Sequence, residues 1–235
     1  MSAAERVEQL AQRYGLPPDA GPRLLALLEQ LAGDPHAPTS INAPERAVDV
    51  HLADSLSAVN LPAVRAARTI ADIGSGAGFP GLVLAIALPR ARVALVESAG
   101  RKCEFLERAR LAVRAENVSV VCSRAEAWDD GLARQDLVTA RAVGPLALLC
   151  EYAAPLLVLG GTLVAWKGAV GESELRAGDR AAAETGLETL GTVRTAPYAA
   201  SVDRRLVMYA KVAETPARFP RRPGVARKRP LGPRR

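Results

Sequence analysis

Apolar and polar positions alternate in two distinct rhythms along the chain, and the change between them divides it. From Ala3 to Tyr14 the residues Val7, Leu10, Ala11 and Tyr14 keep the spacing of one helix face, until Gly15-Leu16-Pro17-Pro18 stops the run. Arg23 to Ala32 resumes it with Leu24, Leu25, Leu27, Leu28 and Leu31, ahead of Gly33-Asp34-Pro35. A third helix is predicted from Glu45 to Asn60, with Val48, His51, Leu52, Ser55, Leu56 and Val59 on one side and Leu61-Pro62 as its stop. From Thr69 onward short apolar runs alternate with helical stretches, the pattern of a parallel sheet covered by helices. Strands are predicted at 69–73, 92–97, 118–122, 136–140, 161–166, 188–195 and 205–213, with helices at 79–88, 100–115, 145–158 and 172–185. Ala196 to Arg204 is too short for a crossover helix, so the last two strands are expected to pair antiparallel. The expected architecture is α/β: a Rossmann-like, seven-stranded, mostly parallel sheet (63–214) behind an N-terminal three-helix cap (1–62), followed by a tail (215–235).

Composition changes this picture mainly at the C-terminus. The 235 residues are 49% apolar and 24% charged, enough for a sizeable core, and no apolar run reaches the length of a membrane span. Glu5, Arg6 and Glu8 stand where a secretion signal would be apolar, so a cytoplasmic protein is expected. Cys103, Cys122 and Cys150 are odd in number and lack a C-x-x-C pair, which argues against a disulfide framework and against a zinc site. Two histidines are too few for a histidine-based metal cluster, so no metal is expected. The net charge of +6 is concentrated in one place: residues 216–235 carry eight basic side chains and no acid, leaving 23 basic against 25 acidic residues in 1–215. Such a segment cannot fold alone, and it suits either a handle for a polyanion or a solubilising terminus.

The candidate chemistry gathers around Ile70-Ala71-Asp72-Ile73-Gly74-Ser75-Gly76-Ala77-Gly78-Phe79-Pro80-Gly81. A glycine-rich turn between a buried strand and a helix is where α/β folds grip nucleotide-like ligands. The spacing of Gly74, Gly76 and Gly78 is not that of the dinucleotide fingerprint. Glu97 ends the second strand, where a carboxylate can accept hydrogen bonds from both hydroxyls of a ribose; an adenosine-containing ligand is implied. Cys122-Ser123-Arg124-Ala125-Glu126 follows the third strand, where class I methyltransferases meet the adenine edge of S-adenosylmethionine. Arg141 ends the fourth strand and is expected beside the ligand crevice. The (Asn/Asp)-Pro-Pro-aromatic run of amino-nitrogen methyltransferases is absent there, and Cys150, inside the apolar run Leu146 to Leu157, reads as core rather than as a nucleophile. A ring nitrogen with its own lone pair, such as guanine N7, needs neither device.

Six stretches in order resemble one family, the glucose-inhibited division protein B family of methyltransferases that modify N7 of a guanine in small-subunit ribosomal RNA. They are His51 to Leu56, Asp72 to Gly81, Ser123 to Glu126, Thr139 to Ala142, Ala165 to Gly168, and the tail from Thr215 to Gly224 with Lys228 to Leu231. The resemblance implies that Gly74, Gly76, Gly78, Phe79, Glu97, Ala125, Glu126 and Arg141 surround S-adenosylmethionine. It also implies that Asn42, His51, Asp54, Arg124, Arg141 and Lys167 face the RNA or its target guanine. For His51 two roles stay open, a substrate contact and a core histidine fixed by Asp54, which shares its helix face. The expected partner is small-subunit ribosomal RNA or the subunit itself, with no membrane, and the protein is expected to be a monomer. Deleting 216–235 is expected to weaken RNA binding and to leave cofactor affinity intact. The alternatives are a methyltransferase of another RNA, a protein or a small molecule, and a non-catalytic RNA-binding ribosome-assembly protein.

Overall fold

The computed structural model describes residues 2–231. Three helical stretches come first: α1 (Ala3–Tyr14), α2 (Ala20–Gly33) and α3 (Pro44–Ala47). Ser2 and Glu5 cap α1 reciprocally, and Gly15 ends it in the left-handed region with φ 59°. The third stretch is not one regular helix. Beyond α3 the backbone widens into a π-wound segment, Val48–Ala53, and closes with a last α turn, Asp54–Leu56. The helical stretch thus ends at Leu56, short of the expected Asn60, and a short α4 (Pro62–Ala66) follows.

Strands β1 (Thr69–Ile73), β2 (Arg92–Glu97) and β3 (Val118–Cys122) fall where the apolar runs predict them. Between and after them lie α5 (Gly81–Ala87) and α6 (Gly100–Ala112). The chain continues through β4 (Gln135–Arg141), α7 (Leu146–Ala153), β5 (Leu157–Lys167), α8 (Glu172–Thr185), β6 (Leu187–Thr195) and β7 (Arg204–Lys211). The seven strands form one sheet in the order β3-β2-β1-β4-β5-β7-β6, parallel except for β7, which runs antiparallel to both β5 and β6. Strand β5 reaches four residues further back than the apolar run suggests, because Gly160 and Gly161 carry it past a register shift against β4.

Apolar side chains form a cluster on each face of the sheet. One joins α5 and α6 to the N-terminal helices, so Leu24, Leu27, Leu28 and Leu31 share a core with Leu82 to Ile86. The other packs α7 and α8 around Leu146, Cys150 and Ala181. Cys150 is fully buried and its thiol is pushed far up by burial and by Asp179, which bears out its reading as a core residue.

Two expectations are corrected. Cys103, in the first turn of α6, and Cys122, at the end of β3, are joined as a disulfide with Cα atoms 5.8 Å apart; the two residues are distant in sequence, and only the parallel crossover brings them together. The basic tail is not a free handle over its described part. Phe219 and Ala226 are buried, Arg221 pairs through two nitrogens with the buried Glu151 of α7, and a last short helix, α9 (Val225–Lys228), lies against the body. The tail cannot fold alone, but it folds on the surface that the rest of the chain provides.

Candidate functional site

Strand register alone sets the candidates side by side. Ile73 pairs with Val96 on one side and Ala140 on the other, Glu97 pairs with Cys122, and Arg141 pairs with Trp166. Glu97, Gly74, Arg141 and Trp166 therefore leave the sheet along one carboxyl edge, where strand order reverses between β1 and β4 and a crevice opens. Each strand delivers its residue there because the buried apolar run before it leaves no freedom of register.

The glycine turn begins at this edge. Gly74 and Gly76 adopt φ 67° and 57°, and a Cβ on Gly74 would run into the Val143 side chain. Gly78 also has positive φ, 90°, but it is buried against Leu82 and Leu106, so it shapes the turn from behind. The turn is tied down from below by Asp72. This fully buried carboxylate accepts from the Gly81 N–H (3.1 Å) and the Thr139 hydroxyl (2.9 Å). Burial raises Asp72 to about 6, against the pull of those hydrogen bonds.

Glu97 bridges the turn and the next helix. One oxygen accepts from the Gly76 N–H at 3.2 Å, and the other accepts from the N–H groups of Ser98 and Ala99 at 2.8 and 3.0 Å. A cleft opens beside it, walled by Gly74, Val96, Glu97, the run from Ser123 to Glu126, Leu148 and Tyr152. Arg124 is exposed at this wall, and Glu126 is buried with one oxygen accepting from the Gly224 N–H at 2.8 Å. Tyr152 is pushed up to about 12 by burial and by the neighbouring Glu126, so its hydroxyl stays protonated.

The second half of the site lies on the other side of the turn. The Arg141 guanidinium donates to Asp54 Oδ2 (2.9 Å), to the Val50 carbonyl (3.1 Å) and to His51 Nδ1 (3.2 Å). His51 stacks on Phe79 with ring centroids 4.6 Å apart, and Arg141 lies over the same ring at 5.3 Å. With Nδ1 accepting, Nε2 carries the proton and donates to the Ile41 carbonyl at 3.0 Å. Burial, and then the Arg141 charge, lower His51 to about 4, so it is neutral here. His51 lies in the π-wound segment and Asp54 opens the α turn after it, and both are buried.

The sequence candidates thus separate into groups. Gly74, Glu97, Ala125, Glu126 and Arg124 meet at the cleft, and His51, Asp54, Phe79 and Arg141 form the second cluster. His51 and Asp54 do not bond each other as a helix-face pair; each holds Arg141 instead, and both are buried. Lys167 is occupied by Glu174 (2.6 Å) and the Gly144 carbonyl, while Asn42 is exposed on the loop one residue beyond Ile41. Ser98, Val143, Leu148, Tyr152 and Arg227 line the cleft without having been singled out. Tyr152 read as part of an apolar helix and Arg227 as tail charge; only their packing gives them a place.

The cleft suits a ligand built like S-adenosylmethionine. A buried carboxylate beside a left-handed glycine turn offers acceptors for ribose hydroxyls, and Val96, Leu148 and Tyr152 offer apolar wall to a purine.

Residues 23–201 match the family model described as rRNA small subunit methyltransferase G (GidB). The chain belongs to this family. It is 41% identical over 241 residues to the ribosomal RNA small subunit methyltransferase G of Rubrobacter xylanophilus, covering 98% of this chain and 92% of the relative. The protein of the same name in Bacillus subtilis is 36% identical and 82% of each chain is covered. Among solved structures, MtNAS in complex with MTA and tNA superposes with a TM-score of 0.57 at 14% identity, over 88% of this chain and 76% of that one. A 16S rRNA (adenine(1408)-N(1))-methyltransferase variant from Catenulisporales acidiphilia gives 0.54 at 16% identity, over 65% and 89%. These likenesses establish the fold, and the family makes the protein a class I methyltransferase dependent on S-adenosylmethionine. Among the described residues no helix is long and apolar enough to cross a membrane, and no group of three or more His, Cys, Asp or Glu could hold a metal ion.

Proposed function

We propose that this protein methylates N7 of one guanine in small-subunit ribosomal RNA, acting in the cytoplasm. The observation that carries the reading is the juxtaposition across the glycine turn of a cleft suited to adenosine and a cationic, aromatic-backed cluster centred on Arg141. Bound in the cleft, S-adenosylmethionine supplies an electrophilic methyl group. Glu97 holds the ribose end, and Ala125 with Glu126 meets the adenine edge. Arg141 is clamped by Asp54, Val50 and His51, which keeps Phe79 flat against the imidazole and the guanidinium beside the turn. Its guanidinium can donate to O6 of the guanine and leave the N7 lone pair free. His51 and Asp54 act as positioning residues for Arg141. The N7 atom already has a lone pair, so no residue of the site has to take a proton before attack, and catalysis is alignment. Arg124, exposed at the rim, serves the phosphate backbone and fixes register without reading sequence.

The test is methyl transfer from radiolabelled cofactor to small-subunit particles from cells lacking this chain, followed by mapping of the modified nucleotide. One new 7-methylguanosine is expected, and Arg141→Ala should lower its formation by about a hundredfold or more. Label appearing on ribosomal protein, or no transfer despite tight cofactor binding, would overturn the reading.

A further inference from the structure

The cleft beside Glu97 has one wall that comes from outside the methyltransferase sheet. Arg227, on α9, lines it together with Glu97, Glu126 and Tyr152. Three anchors bring the tail there. Phe219 is buried, Arg221 pairs with Glu151 while also donating to the Arg229 carbonyl at 2.8 Å, and the Gly224 N–H donates to Glu126. The last anchor is the telling one, because Glu126 is itself part of the cleft wall. The segment Phe219–Lys228 is therefore a strap held by the same carboxylate that the cofactor site uses.

We propose that Arg227 is a cofactor-binding residue, its guanidinium covering the adenine end of bound S-adenosylmethionine, and that the strap is a structural part of that site. This rests on the cleft being the cofactor site. The guanidinium is exposed at the mouth of a cleft that holds two buried carboxylates, which attract it inward, and its plane can lie on the face of a purine. The adenine end is indicated because Arg227 shares the wall with Ser123 to Glu126, on the side of Gly74 away from Arg141. The charge of the tail thereby acquires a second role besides attraction to RNA, and the two roles predict opposite results when no RNA is present.

The experiment measures the affinity of full-length protein for S-adenosylmethionine and S-adenosylhomocysteine by calorimetry without RNA. Wild type, Arg227→Ala, Arg227→Lys and Glu97→Gln are compared, each with its thermal melt recorded. Arg227 is exposed, so its variants should melt with the wild type. Arg227→Ala should weaken both ligands about tenfold, and Arg227→Lys, which keeps charge without the flat face, should recover only part of it. If Arg227→Ala binds as wild type does while Glu97→Gln binds poorly, the cleft is the cofactor site and Arg227 is no part of it. If neither substitution changes affinity, the cofactor lies elsewhere and the proposal falls with the reading of the cleft.

Discussion

Arg141 ends β4 and is followed at once by Ala142, whose φ of 59° is strained for a residue with a Cβ. The chain accepts that cost where it must turn away and leave the guanidinium among Asp54, His51 and Phe79. The same surroundings keep His51 neutral, and two buried groups then give opposite pH signatures. His51 is depressed from 6.5 to about 4, so its share of stability is complete above pH 6.5 and is lost as pH falls toward 4. Asp72 is raised from 3.8 to about 6, so its share is complete below 3.8 and is lost as pH rises through 6. Each is worth about 3 kcal/mol across its window, and between pH 4 and 6 the two slopes oppose. Comparing wild type with His51→Gln by urea unfolding isolates the histidine. The stability difference should grow by about 3 kcal/mol from pH 4 to 6.5; a constant difference would mean that His51 titrates normally in the fold.

At the scale of elements, the docking of the tail on α7 is the contact that most changes the expected organisation. Glu151 is 2% exposed inside an otherwise apolar helix, and Arg221 meets both of its oxygens. Removing one partner strands the other charge out of water, so Arg221→Ala should destabilise the protein by about 3–5 kcal/mol. Adding Glu151→Gln should recover a large part of that loss, and a denaturation double-mutant cycle measures it. Strictly additive losses would show that the pair is not coupled. The buried ammonium of Lys211 holds the start of the same segment, donating to the Ala154 carbonyl (2.8 Å) and to the Thr215 hydroxyl. Deleting 216–235 should therefore cost stability and cofactor affinity as well as RNA affinity, contrary to what the charge pattern suggests. The core strands were legible from their apolar runs because burial on both faces dictates composition. The π-wound turn was not, since Val48 to Ala53 has ordinary helical spacing in the sequence.

Across the whole molecule, the sheet brings Cys103 and Cys122 together at the edge that carries Glu97, whose carbonyl lies 3.3 Å from the Cys103 sulfur. Alkylation of the denatured, unreduced protein should label one thiol, that of Cys150, and three after reduction. Three labels without reduction would show the pair to be free thiols. Closing a loop with a sequence separation of 19 is worth about 3 kcal/mol, so reduction should lower the unfolding free energy by that order. The chain by itself determined the strand order's raw material, the glycine turn, the carboxylate that ends β2 and the family. These are local patterns, and local sterics, burial periodicity and turn chemistry suffice to set them. Tertiary structure decided what the charges and the polar core residues do. It gave Arg141 its three acceptors, buried His51 and Asp54 against that guanidinium, occupied Lys167 with Glu174, and folded a basic tail over the cleft of Glu97 and Glu126. The physical reason is that a charged side chain carries no information about its partner until folding brings one within hydrogen-bond reach. An apolar side chain needs only to be buried, and its spacing along the chain already shows on which side.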